Sequence, residues 1–230
     1  MSFFSWLFDA TFTVGDQVVL WREVVGNLFG LASALGGMRR RVWAWPVGIV
    51  GNVLLFTVFL GAVFGTPDAT NLLGQAGRQV MFVIVSVYGW TTWRAARTAA
   101  RRDAAACGTV DATSDGQILP RWANGRQRAF LVVAAVAGTL VLTPIFRALG
   151  SYEPVWADAW IFVGSVLATY GMARGWVEFW LVWVAVDLVG VPLLLSAGYW
   201  ATASMYVFYG AFTLTGFFVW WRASRTLPAR

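Results

Sequence analysis

Seven runs of about twenty apolar residues fix the class of this chain, because a helix of that length crosses roughly 30 Å of hydrocarbon. The runs lie near 17–37, 43–65, 71–93, 128–149, 155–173, 176–197 and 199–221. Inside hydrocarbon every backbone N–H and C=O must be bonded within the protein, so such runs fold as helices. The sequence therefore predicts an all-α membrane protein with seven transmembrane helices. Only 12% of its 230 residues are charged, about half the share of a soluble domain. The first run is the least regular, since it carries Arg22 and Glu23, which are expected at its outer end.

The net charge of +6 comes from arginine alone, for the chain has no lysine. Arg39, Arg40 and Arg41 fill the first short loop. Arg94, Arg97, Arg101, Arg102, Arg121, Arg126 and Arg128 follow the third run. Arg174 follows the fifth, and Arg222, Arg225 and Arg230 follow the last. The loops at 66–70, 150–154 and around 198 have none, and Arg147 is the one departure outside the helix interiors. The positive-inside rule then predicts the N-terminus outside and the C-terminus in the cytoplasm, across the cell inner membrane. These arginines read as topology signals, so nucleic acid is not an expected partner. The single cysteine, Cys107, rules out a disulfide within the chain. The absence of histidine rules out imidazole metal sites and Ser-His triads. The sequence has no P-loop, zinc motif or Gly-x-Ser-x-Gly. No catalytic residue, metal or cofactor is expected.

Residues 94–127 read as a polar cytoplasmic linker, with turn signals at Ser114-Asp115-Gly116 and Ala123-Asn124-Gly125. The linker separates a first three-helix bundle, 17–93, from a linker helix, 128–149, and a second three-helix bundle, 155–221. An internal repeat supports this division. Trp45 matches Trp180 and Asn52 matches Asp187 at one offset, so Trp45 joins Asn52 as a substrate-site candidate in the first bundle. Gly37-Met38-Arg39-Arg40 resembles Gly171-Met172-Ala173-Arg174 after a one-residue shift. Gly89-x-x-x-Trp93 matches Gly216-x-x-x-Trp220, an offset that also pairs Gln79 with Tyr206. The repeats begin four crossings apart and so run parallel, a transporter plan with substrate bound near the midplane.

Trp180, Trp183 and Asp187 fall at helical spacings of three and four, which puts two indoles and a carboxylate on one stripe. An ionisable group deep in a membrane helix normally faces a cavity or the bundle interior. Flat rings beside a polar group suit a flat aromatic solute. The alternative for Asp187 and Asn52 is a hydrogen bond that holds helices together. For most of the fifteen tryptophans it is an interfacial belt. Trp43, Trp45, Trp90, Trp93, Trp176, Trp200, Trp220 and Trp221 stand at crossing ends. Gln75 and Gln79, four apart, share a face of the third crossing and suit a ring edge or a ribose hydroxyl, or else bonds within the bundle. Ser86, Tyr88, Tyr206 and Tyr209 are weaker polar candidates. Glu178 reads as interfacial, Asp158 as a helix cap, and Pro192 as a kink one turn past Asp187.

Trp-Pro-x-Gly-Ile-x-Gly-Asn (45–52), Tyr-Gly-Trp-x-x-Trp (88–93) and Trp-x-x-Trp-x-x-x-Asp (180–187) resemble the PnuC family of vitamin transporters over roughly 20–225. The stretches 156–164, 177–180 and 186–193 look most like its riboflavin-carrying branch, RibM or PnuX. The resemblance implies a SWEET-like 3+1+3 fold and facilitated diffusion of an unphosphorylated vitamin, trapped afterwards by a cytosolic kinase. It implies that Trp180, Trp183 and Asp187 line the substrate site, with Asn52 and Gln79 opposite. Nicotinamide riboside carriers usually have asparagine where this chain has Asp187. Riboflavin is thus the leading substrate, ahead of nicotinamide riboside and thiamine. A membrane-embedded enzyme or a receptor is the alternative from another class, but no second acid–base group and no signalling domain are evident. The expected partners are the vitamin, the bilayer and the kinase. A homo-oligomer is compatible with the sequence, which sets no oligomeric state.

Overall fold

The computed structural model describes residues 10–14, 17–64, 73–106, 119–150, 154–196 and 200–225. Among the described residues seven long helices follow one another: α1 (Trp21–Met38), α2 (Ala44–Phe59), α3 (Leu73–Ala106), α4 (Gly125–Ala148), α5 (Val155–Ala173), α6 (Phe179–Ser196) and α7 (Trp200–Arg225). A single helical turn, Gly61–Phe64, follows α2. The chain divides into two compact units, Met1–Ile118 and Leu119–Arg230. In the first, α2 packs against both α1 and α3. In the second, α5 packs against α4 and α6, and α6 against α5 and α7.

Three boundaries differ from the sequence reading. The expected first crossing begins too early, because Gln17–Leu20 is a strand, β2, antiparallel to β1 (Thr11–Val14) with Thr11 opposite Leu20. The β-branched threonines and valines of these segments favour the pleated conformation over a helical turn. This hairpin amends the all-α expectation. Next, α3 runs on through the arginines to Ala106 rather than ending near 93. Its extension beyond residue 93 is alanine- and arginine-rich, and both residues are strong helix formers. The turn expected at Ser114-Asp115-Gly116 lies outside the described residues. Finally, the turn at Ala123-Asn124-Gly125 is the start of α4. Asn124 is its N-cap: its Oδ1 accepts from Gln127 N at 2.9 Å, and Gln127 Oε1 accepts from Asn124 N at 3.0 Å. This reciprocal capping box satisfies two backbone donors that would otherwise be left over.

Pro46 sits in the first turn of α2, where its missing N–H costs nothing. Pro192 lies within α6, which continues past it to Ser196. Asp158 is not the cap of α5: that position is Pro154, without a side-chain bond. The carboxylate lies instead in the first turn, where the helix dipole favours it. Glycine contacts let α1 and α2 approach closely, since a Cβ on Gly51 would fall 2.8 Å from Gly26 O.

By length and composition, α4 and α5 suffice to cross a membrane. α2 and residues 179–193 of α6 are apolar but shorter. Only 11% of the apolar window of α4 is buried, against 61% for α5. Val132, Val133, Leu140 and Val141 of α4 all stand exposed. A helix so apolar and so open is not the core of a water-soluble domain; it needs hydrocarbon around it. Leu140→Arg is therefore expected to raise the insertion cost of α4 by roughly 2.5–3.5 kcal/mol. The fraction of protein that resists alkaline carbonate extraction from membranes measures this. Undiminished integration would count against α4 as a lipid-facing span.

Candidate functional site

The two units build the same corner twice. In the first, Arg39 N donates to Leu35 O, Arg40 N to Gly37 O, Arg41 N to Gly36 O, Ala44 N to Arg41 O and Trp45 N to Val42 O. In the second, Arg174 N donates to Tyr170 O, Gly175 N to Met172 O, Trp176 N to Gly171 O, Phe179 N to Trp176 O and Trp180 N to Val177 O. Each bond has its counterpart at the offset that relates Trp45 to Trp180. No one-residue shift is needed: Gly36, not Gly37, is the partner of Gly171.

Both corners deliver a tryptophan onto a glycine. Trp45, 3% exposed, lies on Gly89 of α3, where a Cβ would fall 2.5 Å from its ring. Trp93, four residues along α3, meets it edge-on at 5.3 Å. Trp180, 4% exposed, lies on Gly216 of α7 in the same way. Trp220 meets it edge-on at 6.2 Å, and Phe179 and Phe212 close the remaining sides. Trp93 and Trp220 are therefore walls of these clamps, fully buried, and not the interfacial residues that their place at helix ends suggests. Trp176 is likewise buried, between Tyr170 and the guanidinium groups of Arg121 and Arg174.

This geometry changes the part Trp180 can play. Its ring has no open face on which a solute could stack, so a sandwich between Trp180 and Trp183 does not exist in this structure. Trp183, one turn further along α6, is half-buried. Asp187 is also half-buried, its Oδ2 3.5 Å from where a Cβ on Gly210 of α7 would stand. The ring of Tyr206 rests on Gly190, with Cε1 2.8 Å from that glycine's Cβ position. The stripe is thus gathered along α6 and α7: Trp180 sealed, Trp183 and Asp187 partly open, Tyr206 beside them. The spacing of Gly210 and Gly216 from Tyr206 carried this information, since an antiparallel partner places them opposite Asp187 and Trp180.

In the first unit Asn52 is half-buried on α2, and Gln79 is buried on α3 at 4% exposure. Ser86 is buried, while Tyr88 is exposed. Gln75 lies in α3, but its side chain is outside the described residues. A shallow pocket of about 190 Å³, lined by Val53, Phe56, Val80, Val83 and Ile84, reaches Gln79. It falls below the roughly 300–1,000 Å³ of typical ligand pockets. Among the described residues no group of acidic, cysteine or histidine side chains could hold a metal. Sequence reasoning also passed over Trp160, whose Nε1 donates to Ala185 O at 3.0 Å and pins α6 to α5.

A family model described as the nicotinamide mononucleotide transporter matches residues 20–222. The chain belongs to this transporter family. It is therefore a membrane protein, as its open apolar helices require. Among relatives in the family, it is 39% identical to the riboflavin/roseoflavin transporter RibM of Streptomyces davaonensis, over 96% of this chain and 94% of that protein. It is 24% identical to the nicotinamide riboside transporter PnuC of Escherichia coli, over 94% and 91%. The crystal structure of the vitamin B3 transporter PnuC shares its fold with a TM-score of 0.64 at 19% identity, over 90% of this chain and 83% of that one.

If the paired clamps set helix spacing in this transporter fold, Gly89→Ala and Gly216→Ala should each destabilise the protein by about 1–3 kcal/mol, as overpacking does. Thermal unfolding in detergent, followed by tryptophan fluorescence, measures both. A wild-type melting profile for either variant would show that its indole yields without cost.

Proposed function

We propose that the chain takes up unphosphorylated riboflavin across the cytoplasmic membrane by facilitated diffusion. The observation that carries this reading is the 39% identity to RibM along nearly the whole of both chains. The stripe on α6 supports it. The isoalloxazine ring is flat and neutral, and the half-buried Trp183 offers it an indole face. Asp187 and Tyr206 in the second unit supply partners for the ring edge and the ribityl hydroxyls. Trp180 and Trp45 act through packing: sealed on their glycines, they hold α6 and α2 in place. Binding must stay moderate, so that the vitamin can leave on the far side.

The further architecture is part of the same proposal. The seven helices form a 3+1+3 plan, with α4 as the linker helix between two parallel bundles. The arginine distribution supports an outside N-terminus and a cytoplasmic C-terminus. Facilitated diffusion accumulates nothing by itself, so a cytosolic kinase that phosphorylates the vitamin completes uptake. Nicotinamide riboside is the second reading, favoured by one feature: the Asp187 carboxylate suits a pyridinium cation.

Calorimetric titration of the purified protein with riboflavin, nicotinamide riboside and thiamine tests the assignment. Riboflavin is expected to bind tightest, and a clear preference for nicotinamide riboside would reverse the order of the two readings. Aromatic stacking contributes about 1–3 kcal/mol per ring, so Trp183→Ala is expected to weaken riboflavin binding at least about tenfold. Unchanged affinity in a folded Trp183→Ala protein would remove that indole from the site.

A further inference from the structure

The turn from α5 into α6 is tied to the segment that leads into α4. Residues 119–124 run beside it as a strap. Pro120 is buried. Arg121 N donates to Gly175 O at 2.9 Å, and Val177 N donates to Arg121 O at 3.0 Å, one rung of parallel pairing. Both carboxylate oxygens of Glu178 accept from Ala123 N, at 3.1 and 3.0 Å. Arg128 Nε, on the first turn of α4, donates to Glu178 Oε1 at 2.9 Å. Trp122 meets Phe217 of α7 edge-on, and the Arg128 guanidinium lies over the Trp122 ring.

Glu178 is 8% exposed. A carboxylate so buried is costly unless bonded to charged or backbone donors, and here it has both. Its main chain matters as much, because Glu178 O accepts from Val182 N at 3.1 Å, so the residue stands at the head of α6. One residue thus starts the helix that carries Trp180, Trp183 and Asp187, and grips the strap with its side chain.

The first unit shows that a carboxylate at this place is not what folds the turn. The α1–α2 corner closes with the same set of backbone bonds. At the place equivalent to Glu178 it has Trp43, which is 47% exposed. The grip in the second unit therefore does something besides making a turn.

The geometry points to Glu178 as a positioning residue for transport: it locks the first turn of α6 to α4 and to the end of the linker, and so sets where Trp183 and Asp187 stand. The functional half of this inference rests on the reading of that stripe as the vitamin site. Removing the carboxylate strands the Ala123 N–H, frees Arg128 and lets the head of α6 shift.

Fluorine NMR of the full-length protein labelled with 5-fluorotryptophan tests this, with Trp180 and Trp183 assigned through their phenylalanine variants. Glu178→Ala is expected to move or broaden both resonances and to leave those of Trp45 and Trp93 in place. Glu178→Gln, which keeps an acceptor for Ala123 N, should fall between wild type and alanine, and it carries the same readout if the alanine variant does not fold. Riboflavin titration of the same samples should weaken by at least about fivefold in Glu178→Ala, the scale of ordinary coupling between sites. A Trp183 resonance unmoved by loss of the carboxylate overturns the inference. So does uniform broadening of every tryptophan in the glutamine variant, which marks a general loss of packing. If wild-type protein binds no riboflavin, the substrate reading falls, and the fluorine spectra still decide whether Glu178 positions the stripe.

Discussion

Each unit depends on an indole laid flat against a glycine of the next helix. Between helices in lipid there is no hydrophobic push, because lipid tails are as apolar as leucine, so close fit decides the spacing. Gly89 and Gly216 let Trp45 and Trp180 approach to distances that a methyl group would forbid. Trp93 and Trp220 stand edge-on and stop the rings from sliding. These contacts settle the pairings α2–α3 and α6–α7, which carry Asn52, Gln79, Asp187 and Tyr206. They are contacts of shape: the indole nitrogens of Trp45 and Trp180 are buried without a hydrogen-bond partner among the described residues. Each such donor costs about 1–3 kcal/mol, so ring packing must outweigh that loss twice over.

The internal repeat was legible because it lives in residue types that are hard to replace. Trp45 and Trp180, Gly89 and Gly216, Trp93 and Trp220 stand out even among apolar helices, and offsets between such landmarks can be read from sequence. The landmarks proved structurally equivalent, down to the backbone bonds of the corner before each clamp. The ambiguity of the Gly-Met-Arg pattern came from aligning on a glycine with a near neighbour of the same kind. Gly36 and Gly37 are adjacent, and only the hydrogen bond accepted by Gly36 O tells them apart.

Periodicity says which side chains share a stripe but not what lies over the stripe. That is why Trp180 read as an open stacking face when Gly216, Trp220, Phe179 and Phe212 in fact enclose it. The end of a crossing is likewise a poor guide to exposure, since Trp93 and Trp220 stand at helix ends yet are buried. Glu178 was misread for a related reason. A charge beside a helix end looks solvated until a distant segment supplies donors, and Ala123 and Arg128 lie too far along the chain for local pattern to link them. Strand β2 was absorbed into the first apolar run because a short β-branched stretch raises hydropathy as much as a helix does.

The two equivalent corners also differ in one backbone torsion. Gly175 adopts φ of 69° and Arg40, its counterpart, φ of 57°. A glycine enters that left-handed region freely, whereas a residue with a Cβ resists it by roughly 1–2 kcal/mol. Arg40 is also half-buried, and that burial pulls its guanidinium pKa below the usual value. The first corner accepts both costs and thereby keeps three arginines in succession. The second has only Arg174 and a relaxed glycine. One half of the molecule thus spends conformational ease on concentrated charge, while the other gives up that charge for an unstrained turn.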